Sequence, residues 1–301
     1  MTDIAHRNTA TEGVDGGIGV TALLVAAARA IETHRGDSLA QDRFAEHFVR
    51  AAPASAGWPV RPDEVRGGDA NPLWGRFARY FGLRTRVLDD FLLSAVRGGA
   101  RQVVLLGAGL DTRAFRLDWP EGCAVFEVDR PGVLAFKGEV LGGLPTVPRA
   151  ARVEVPADLR DDWVGTLTGA GFDPAAPTAW LAEGLLFYLP HSAETRLIDQ
   201  VDRLSAAGSA LAYEVKVEPD LLGYRDSPTY TATREQIGID LLDLFALEER
   251  PDSSGALTGR GWSTTVHTPY EFTHRHGRGP LPEANDALEG NRWVFADKPR
   301  A

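Results

Sequence analysis

Two periodicities divide the chain. Over the first hundred residues, apolar positions recur at helical spacing: Val20, Leu23, Leu24, Ala27, Ala28 and Ile31 share one face, with Gly36 as a stop. A second helical stretch carries Phe77, Tyr80, Phe81, Val87, Leu88, Phe91 and Leu92. Gly82 is its expected break and Gly98-Gly99 its end. Residues 51–72, rich in Pro, Gly and Ala, read as an irregular connection, and the polar residues 1–16 as a mobile tail. From Gln102 onward, short apolar runs alternate with helical segments, the pattern of βα units. Strands are expected at 102–106, 124–128, 151–155, 178–182 and 210–217, with helices at 112–117, 131–141, 161–170 and 192–204 between them. Apolar runs at 262–267 and 292–296 bring the sheet to seven mostly parallel strands. Residues 218–258, acidic and partly helical, interrupt the alternation where an insertion can cover a substrate like a lid. The expected class is α/β, with a helical N-terminal extension over 1–98 and an open sheet flanked by helices over 99–301.

Composition narrows the function classes. A chain of 301 residues with 44% apolar and 25% charged residues can bury a substantial core. Its formal net charge of -10 argues against nucleic acid or an anionic membrane surface as partner, because binding phosphate draws on basic surface. The one cysteine, Cys123, rules out an intramolecular disulfide and any multi-cysteine metal centre, and its place just before a strand points to packing. His274 and His276 alternate in a stretch that reads as a solvated loop; no acidic or cysteine ligands accompany them at zinc spacing, so no metal is expected. The apolar segment 20–31 is too short to span a bilayer, carries Arg29 and follows no signal-peptide pattern; the cytoplasm is the expected compartment.

The candidate chemistry sits at the carboxyl ends of the expected strands, where open α/β sheets bind ligands. The first strand runs into Gly107-Ala108-Gly109-Leu110-Asp111, the second ends at Asp129, the third leads to Asp158-Leu159-Arg160 and the fourth to Glu183-Gly184. Glycines let backbone N–H groups approach a ligand, and an acid at the end of the second strand can accept from both hydroxyls of a ribose. An adenosine-containing cofactor is the expected ligand. A lone Gly-x-Gly is weak evidence, whereas four strand ends in register carry more.

Four stretches, Gly107-Ala-Gly-Leu-Asp-Thr-Arg-Ala-Phe-Arg-Leu117, Val125-Phe-Glu-Val-Asp129, Val155-Pro-Ala-Asp-Leu-Arg-Asp-Asp-Trp163 and Ala179-Trp-Leu-Ala-Glu-Gly-Leu-Leu-Phe-Tyr-Leu-Pro190, resemble the leucine carboxyl methyltransferase family. The nearest branch is that of bacterial S-adenosyl-L-methionine-dependent methyltransferases, and the resemblance spans about residues 17–262. It implies a class I methyltransferase fold, Rossmann-like, with S-adenosyl-L-methionine as cofactor. It also implies roles: Arg86 pairing with the methionine carboxylate, Gly107, Ala108, Gly109 and Asp111 forming the loop beside the methionine portion, and Asp129 holding the ribose diol. Asp158 and Leu159 would meet the adenine, and Glu183 the methionine amino group. No residue is singled out as catalytic.

Plainer roles compete with these. Asp129 can cap the helix that Pro131 opens, and Asp158 can cap the helix expected at 161–170. Arg84, Arg86, Asp89 and Asp90 can form surface ion pairs worth little. Tyr188 reads as core, and Glu183 as an ordinary strand-end acid.

The leading expectation is an O-methyltransferase acting on a carboxylate or hydroxyl of a small molecule, such as a polyketide-like metabolite. A carboxylate acceptor needs no general base, and the sequence offers no obvious one. An NAD(P)-dependent oxidoreductase is the alternative enzyme. The glycine turn lacks a third glycine, no Tyr-x-x-x-Lys pair occurs, and Asp111 would face the dinucleotide phosphates. A non-catalytic cofactor-binding protein is the third class, favoured if no acceptor pocket lies under residues 218–258.

Overall fold

The computed structural model describes residues 13–217 and 221–300, so most of the expected mobile tail lies outside the described residues. Three helices precede the sheet: α1 (Gly19–Thr33), α2 (Ala45–Ala51) and α3 (Trp74–Arg97). The sheet then alternates as β1 (Gln102–Leu106), α4 (Arg113–Arg116), β2 (Ala124–Asp129), α5 (Pro131–Gly142), β3 (Ala151–Pro156), α6 (Trp163–Gly169), β4 (Thr178–Ala182), α7 (His191–Arg203) and β5 (Ala210–Lys216). The insertion contributes α8 (Pro228–Ile237) and α9 (Ser253–Gly259), and the chain closes with β6 (Ser263–His267), α10 (Pro269–His276) and β7 (Asn291–Asp297). His274 and His276 belong to the last turn of α10, ended by Gly277 in the left-handed region, and not to a loop. Thr268 and Glu271 open that helix with a reciprocal capping box.

The seven strands lie in the order β3-β2-β1-β4-β5-β7-β6. β1 to β5 are parallel, and β7 inserts antiparallel between β5 and β6. All five residues of β1 and of β4 are buried, which explains their unbroken apolar runs: both faces of a parallel sheet are covered. Along β1, Val103 and Leu105 face the core shared with α1 and α3, while Val104 and Leu106 face the core that holds Trp163, Trp180 and α7. The N-terminal helices therefore share one face of the sheet as their core. Among the described residues, no helix is long and apolar enough to cross a membrane.

The expected break at Gly82 does not occur, and α3 continues through it for 24 residues. A Cβ added at Gly82 would lie 2.5 Å from Cγ and Cδ of Glu32, so the glycine is the point where α1 crosses close to α3. Glu32 is 1% exposed; its carboxylate accepts from the Leu39 amide at 2.7 Å and from Arg278 at 2.9 Å. Burial nevertheless raises its pKa above the ordinary carboxylate value. The sequence cue was real, but the missing side chain serves packing. Gly82→Ala gains up to ~1 kcal/mol of helix propensity, yet it displaces a buried, paired carboxylate, so a net loss of roughly 1–2 kcal/mol is expected. Urea titration of both proteins measures this, and an equal or higher midpoint in the variant would show that the two helices can part at no cost.

Candidate functional site

The order of β1, β2 and β3 runs one way from β1 and that of β4 and β5 the other, so the switch point falls between β1 and β4. A cavity of about 320 Å³ opens there. Its floor is the loop after β1, in which Gly107 (φ 65°) and Gly109 (φ 45°) take left-handed conformations. The Gly107 and Ala108 amides both donate to the Val128 carbonyl, at 2.9 and 3.0 Å, which ties the loop to β2. Asp129, at the end of β2, accepts from the Gly109 amide through Oδ2 at 2.6 Å and from the Arg130 amide through Oδ1 at 2.7 Å. Each oxygen keeps a further lone pair for a ligand. Burial raises the pKa of this carboxyl, while the two amides oppose the rise. The helix-capping alternative for Asp129 gives way to this loop-bridging role.

Behind the loop lies a buried chain of charges. Arg113, 1% exposed, donates through Nε to Asp89 at 2.7 Å and through Nη1 to Glu183 at 2.6 Å, and it also grips Asp111. Asp111 accepts from the Arg113 amide at 2.6 Å. Its charge is thus held by Arg113 within the wall. Arg84 lies between two acids: its Nη2 is 2.9 Å from Glu183 and its Nη1 2.6 Å from Glu214. Burial opposes ionisation of Glu183, but the fields of Arg113 and Arg84 overcome it and hold the carboxyl at about 2. Burial likewise draws Arg84 below the ordinary guanidinium pKa. A guanidinium starts high enough to remain charged.

Eight of the nine residues expected at the site line this cavity: Gly107, Ala108, Gly109, Asp111, Asp129, Asp158, Leu159 and Glu183. Arg86 is the exception. Its guanidinium lies on the outer face of α3, 47% exposed and bonded to Asp90 at 2.8 Å. Two residues along a helix turn the side chain through about 200°, so Arg84 faces inward where Arg86 cannot. Asp158 does not cap a helix: Asp162 caps α6, accepting from Gly165 at 3.1 Å. Instead, Asp158 is held by Arg160 at 2.6 and 2.9 Å beside Leu159.

Sequence reading missed several wall residues. Tyr188, expected in the core, lines the cavity, as do Tyr80, Glu214 and Tyr230. The insertion reaches the cavity through Tyr230, Leu241 and Phe245. Arg250 pins its far end, donating to the carbonyls of Leu186, Leu189, Phe187 and Ala246 and to Glu194. By contrast, Cys123 is a packing residue whose thiol burial pushes up to about 11.

Glu214, 1% exposed at the end of β5, accepts from Tyr80, from Trp293 at 3.2 Å and from Asn291 at 3.3 Å. Burial pushes its carboxyl up to about 8, against the pull of those donors and of Lys216. An acid raised in the folded state binds more protons folded than unfolded, so its contribution to stability falls as pH rises. The window runs from about 4.5, its ordinary value, to about 8. Denaturant titrations across that range should show wild-type stability declining relative to Glu214→Gln. Parallel pH profiles for the two proteins would mean that Glu214 is ionised throughout.

Comparison with known proteins places the chain. Residues 22–202 match the sequence profile of the leucine carboxyl methyltransferase family. A protein of Streptomyces coelicolor, named as an inferred S-adenosyl-L-methionine-dependent methyltransferase, is 70% identical over 301 residues, which cover 100% of this chain and 99% of that one. A similarly named protein of Saccharopolyspora erythraea is 48% identical over 248 residues, covering 82% and 83%. Two solved structures share the fold. An inferred methyltransferase from Thermobifida fusca superposes with a TM-score of 0.51 at 17% identity, over 85% of this chain and 94% of that one. A DUF574-family protein from Streptomyces avermitilis gives 0.52 at 13% identity, over 90% and 100%. The chain belongs to the leucine carboxyl methyltransferase family.

Proposed function

We propose that the cavity binds S-adenosyl-L-methionine and that the chain passes its methyl group to an oxygen of a small-molecule acceptor, a carboxylate or hydroxyl of a polyketide-like metabolite. The observation that carries this reading is the convergence, at one switch point, of a diol acceptor and a zwitterion binder. Asp129 offers lone pairs on both oxygens, while Glu183 and Arg84 sit side by side as a carboxylate and a guanidinium. The donor set fits the cofactor. Arg84 retains a buried Nε without a hydrogen-bond partner among the described residues. That atom is a ready donor for the methionine carboxylate, and Glu183 for the ammonium an acceptor. Leu159 supplies an apolar face for adenine, and Asp158 an acceptor for its amino group once the half-exposed Arg160 yields. The names of the relatives point the same way.

Bound there, the cofactor supplies a methyl group activated by its sulfonium. Asp129, Glu183 and Arg84 would hold it so that an acceptor oxygen could take the methyl carbon, the electron pair of the S–C bond being left on sulfur. A carboxylate acceptor would give up no proton, whereas a hydroxyl would pass one to water. The protein's part is alignment and exclusion of water. A cavity that continues under the insertion, lined by Tyr230 and Phe245, favours an enzyme over a binding protein, because it leaves room for an acceptor. The dinucleotide alternative loses nothing from Asp111, which Arg113 neutralises; it still lacks the third glycine.

Asp129→Asn replaces one acceptor oxygen by a donor and should weaken S-adenosylhomocysteine binding by about tenfold or more, on the scale of a charged hydrogen bond. Arg86→Ala should leave the affinity within about twofold, as for a surface ion pair. Calorimetric titration of both variants reads the contrast. If Arg86→Ala alone lost affinity, the placement of the methionine end would be wrong.

A further inference from the structure

The chain has six tyrosines, and among the described residues four of their hydroxyls bond another side chain. Tyr80 pairs with Glu214, Tyr213 with Ser253, Tyr224 with Glu289 and Tyr270 with Asp286. The Tyr230 hydroxyl has no such partner among the described residues, although the residue is only 4% exposed. Its oxygen is not one of the enclosed polar atoms left without a partner, so it is reached from the cavity. Tyr230 borders the cavity, so a bound molecule is the partner that the fold leaves room for.

Its position is fixed. Ser227 caps α8, and Gln236 on the same helix accepts from Asn71 at 3.2 Å, at the start of α3. Burial first, and then the neighbouring Tyr188, raise the Tyr230 phenol above its ordinary pKa, so it remains a donor at neutral pH. The surroundings are aromatic. Phe245 has ring centroids of Phe187, Tyr188 and Tyr230 at 5.7, 5.6 and 6.5 Å, and α3 adds Phe77 and Phe81, 5.2 Å apart. All these rings line the cavity. Such walls favour edge and offset contacts with another ring.

The geometry points to Tyr230 as a specificity-determining residue that donates to an oxygen of an aromatic acceptor, adjacent to the oxygen that is methylated. This inference rests on the methyltransferase reading above. Built to hydrogen-bond an oxygen, the site rejects analogues that lack it.

The test uses wild type and Tyr230→Phe with labelled S-adenosyl-L-methionine and three probes: 2-hydroxybenzoate, 2-methylbenzoate and cyclohexanecarboxylate. Affinity for S-adenosylhomocysteine is measured on both proteins. The expected result is a kcat/KM for 2-hydroxybenzoate about tenfold or more above that for 2-methylbenzoate in wild type. That ratio should fall to near unity in Tyr230→Phe, with cyclohexanecarboxylate poorest and nucleoside affinity unchanged. The same ratio in both proteins would overturn the role of Tyr230. Equal use of cyclohexanecarboxylate, or no methylation of any probe by a wild type that binds the nucleoside, would overturn the aromatic class. Failure of wild type to bind the nucleoside would instead overturn the methyltransferase reading.

Discussion

The site depends on a chain of charges taken out of water. Asp111, Arg113, Glu183 and Arg84 follow one another by direct contacts, with Glu214, its carboxyl pushed up to about 8, at the end of the series; they come from the loop after β1, α4, the end of β4, α3 and β5. Each ion is costly to bury alone, and removing one partner of such a pair typically costs about 3–5 kcal/mol because the other is stranded. The chain therefore fixes the relative positions of three strand ends, those of β1, β4 and β5, and two helices, α3 and α4. The strand-end acids and the inward arginine have one geometry available to them, and the cavity forms around it. Its electrostatic character is nearly balanced, which suits a zwitterion better than the phosphates of a dinucleotide.

Around that chain the fold separates two tasks. The glycine loop and Asp129 form a rigid, backbone-bonded floor, fixed by amides that donate to Val128 and Asp129. The insertion adds Tyr230, Leu241 and Phe245 to the opposite wall and is pinned at its end by Arg250. The family profile covers residues 22–202, which include the floor and stop short of the insertion. Family membership therefore speaks to the chemistry of the donor site, and the residues of this chain's insertion speak to the acceptor.

Much of this was legible in the sequence, for definable reasons. β1 and β4 are buried on both faces, so their apolar runs stand out, and the glycines after β1 are required by positive φ. What failed was local reading of a tertiary choice. Gly82 looked like a break because its partner, Glu32, lies 50 residues earlier and is paired with Arg278 near the other end of the chain. The resemblance implies Arg86 for the methionine carboxylate, whereas the buried series Phe77, Tyr80, Phe81 and Leu88 places residue 84 on the inner face and residues 86 and 90 on the outer. The helical period alone could have made that choice. Tyr230 and Glu214 carried no such signal, since one lies in a weakly patterned insertion and the other in a strand whose seven residues are all buried.

The central claim is that the cavity at the switch point is a site for a sulfur nucleoside amino acid. Calorimetric titration of the wild-type protein with S-adenosylhomocysteine, S-adenosyl-L-methionine and NAD(P)H tests it most directly. The account predicts micromolar binding of both sulfur nucleosides and none of the dinucleotide. Binding of NAD(P)H with no heat from either sulfur nucleoside would contradict it.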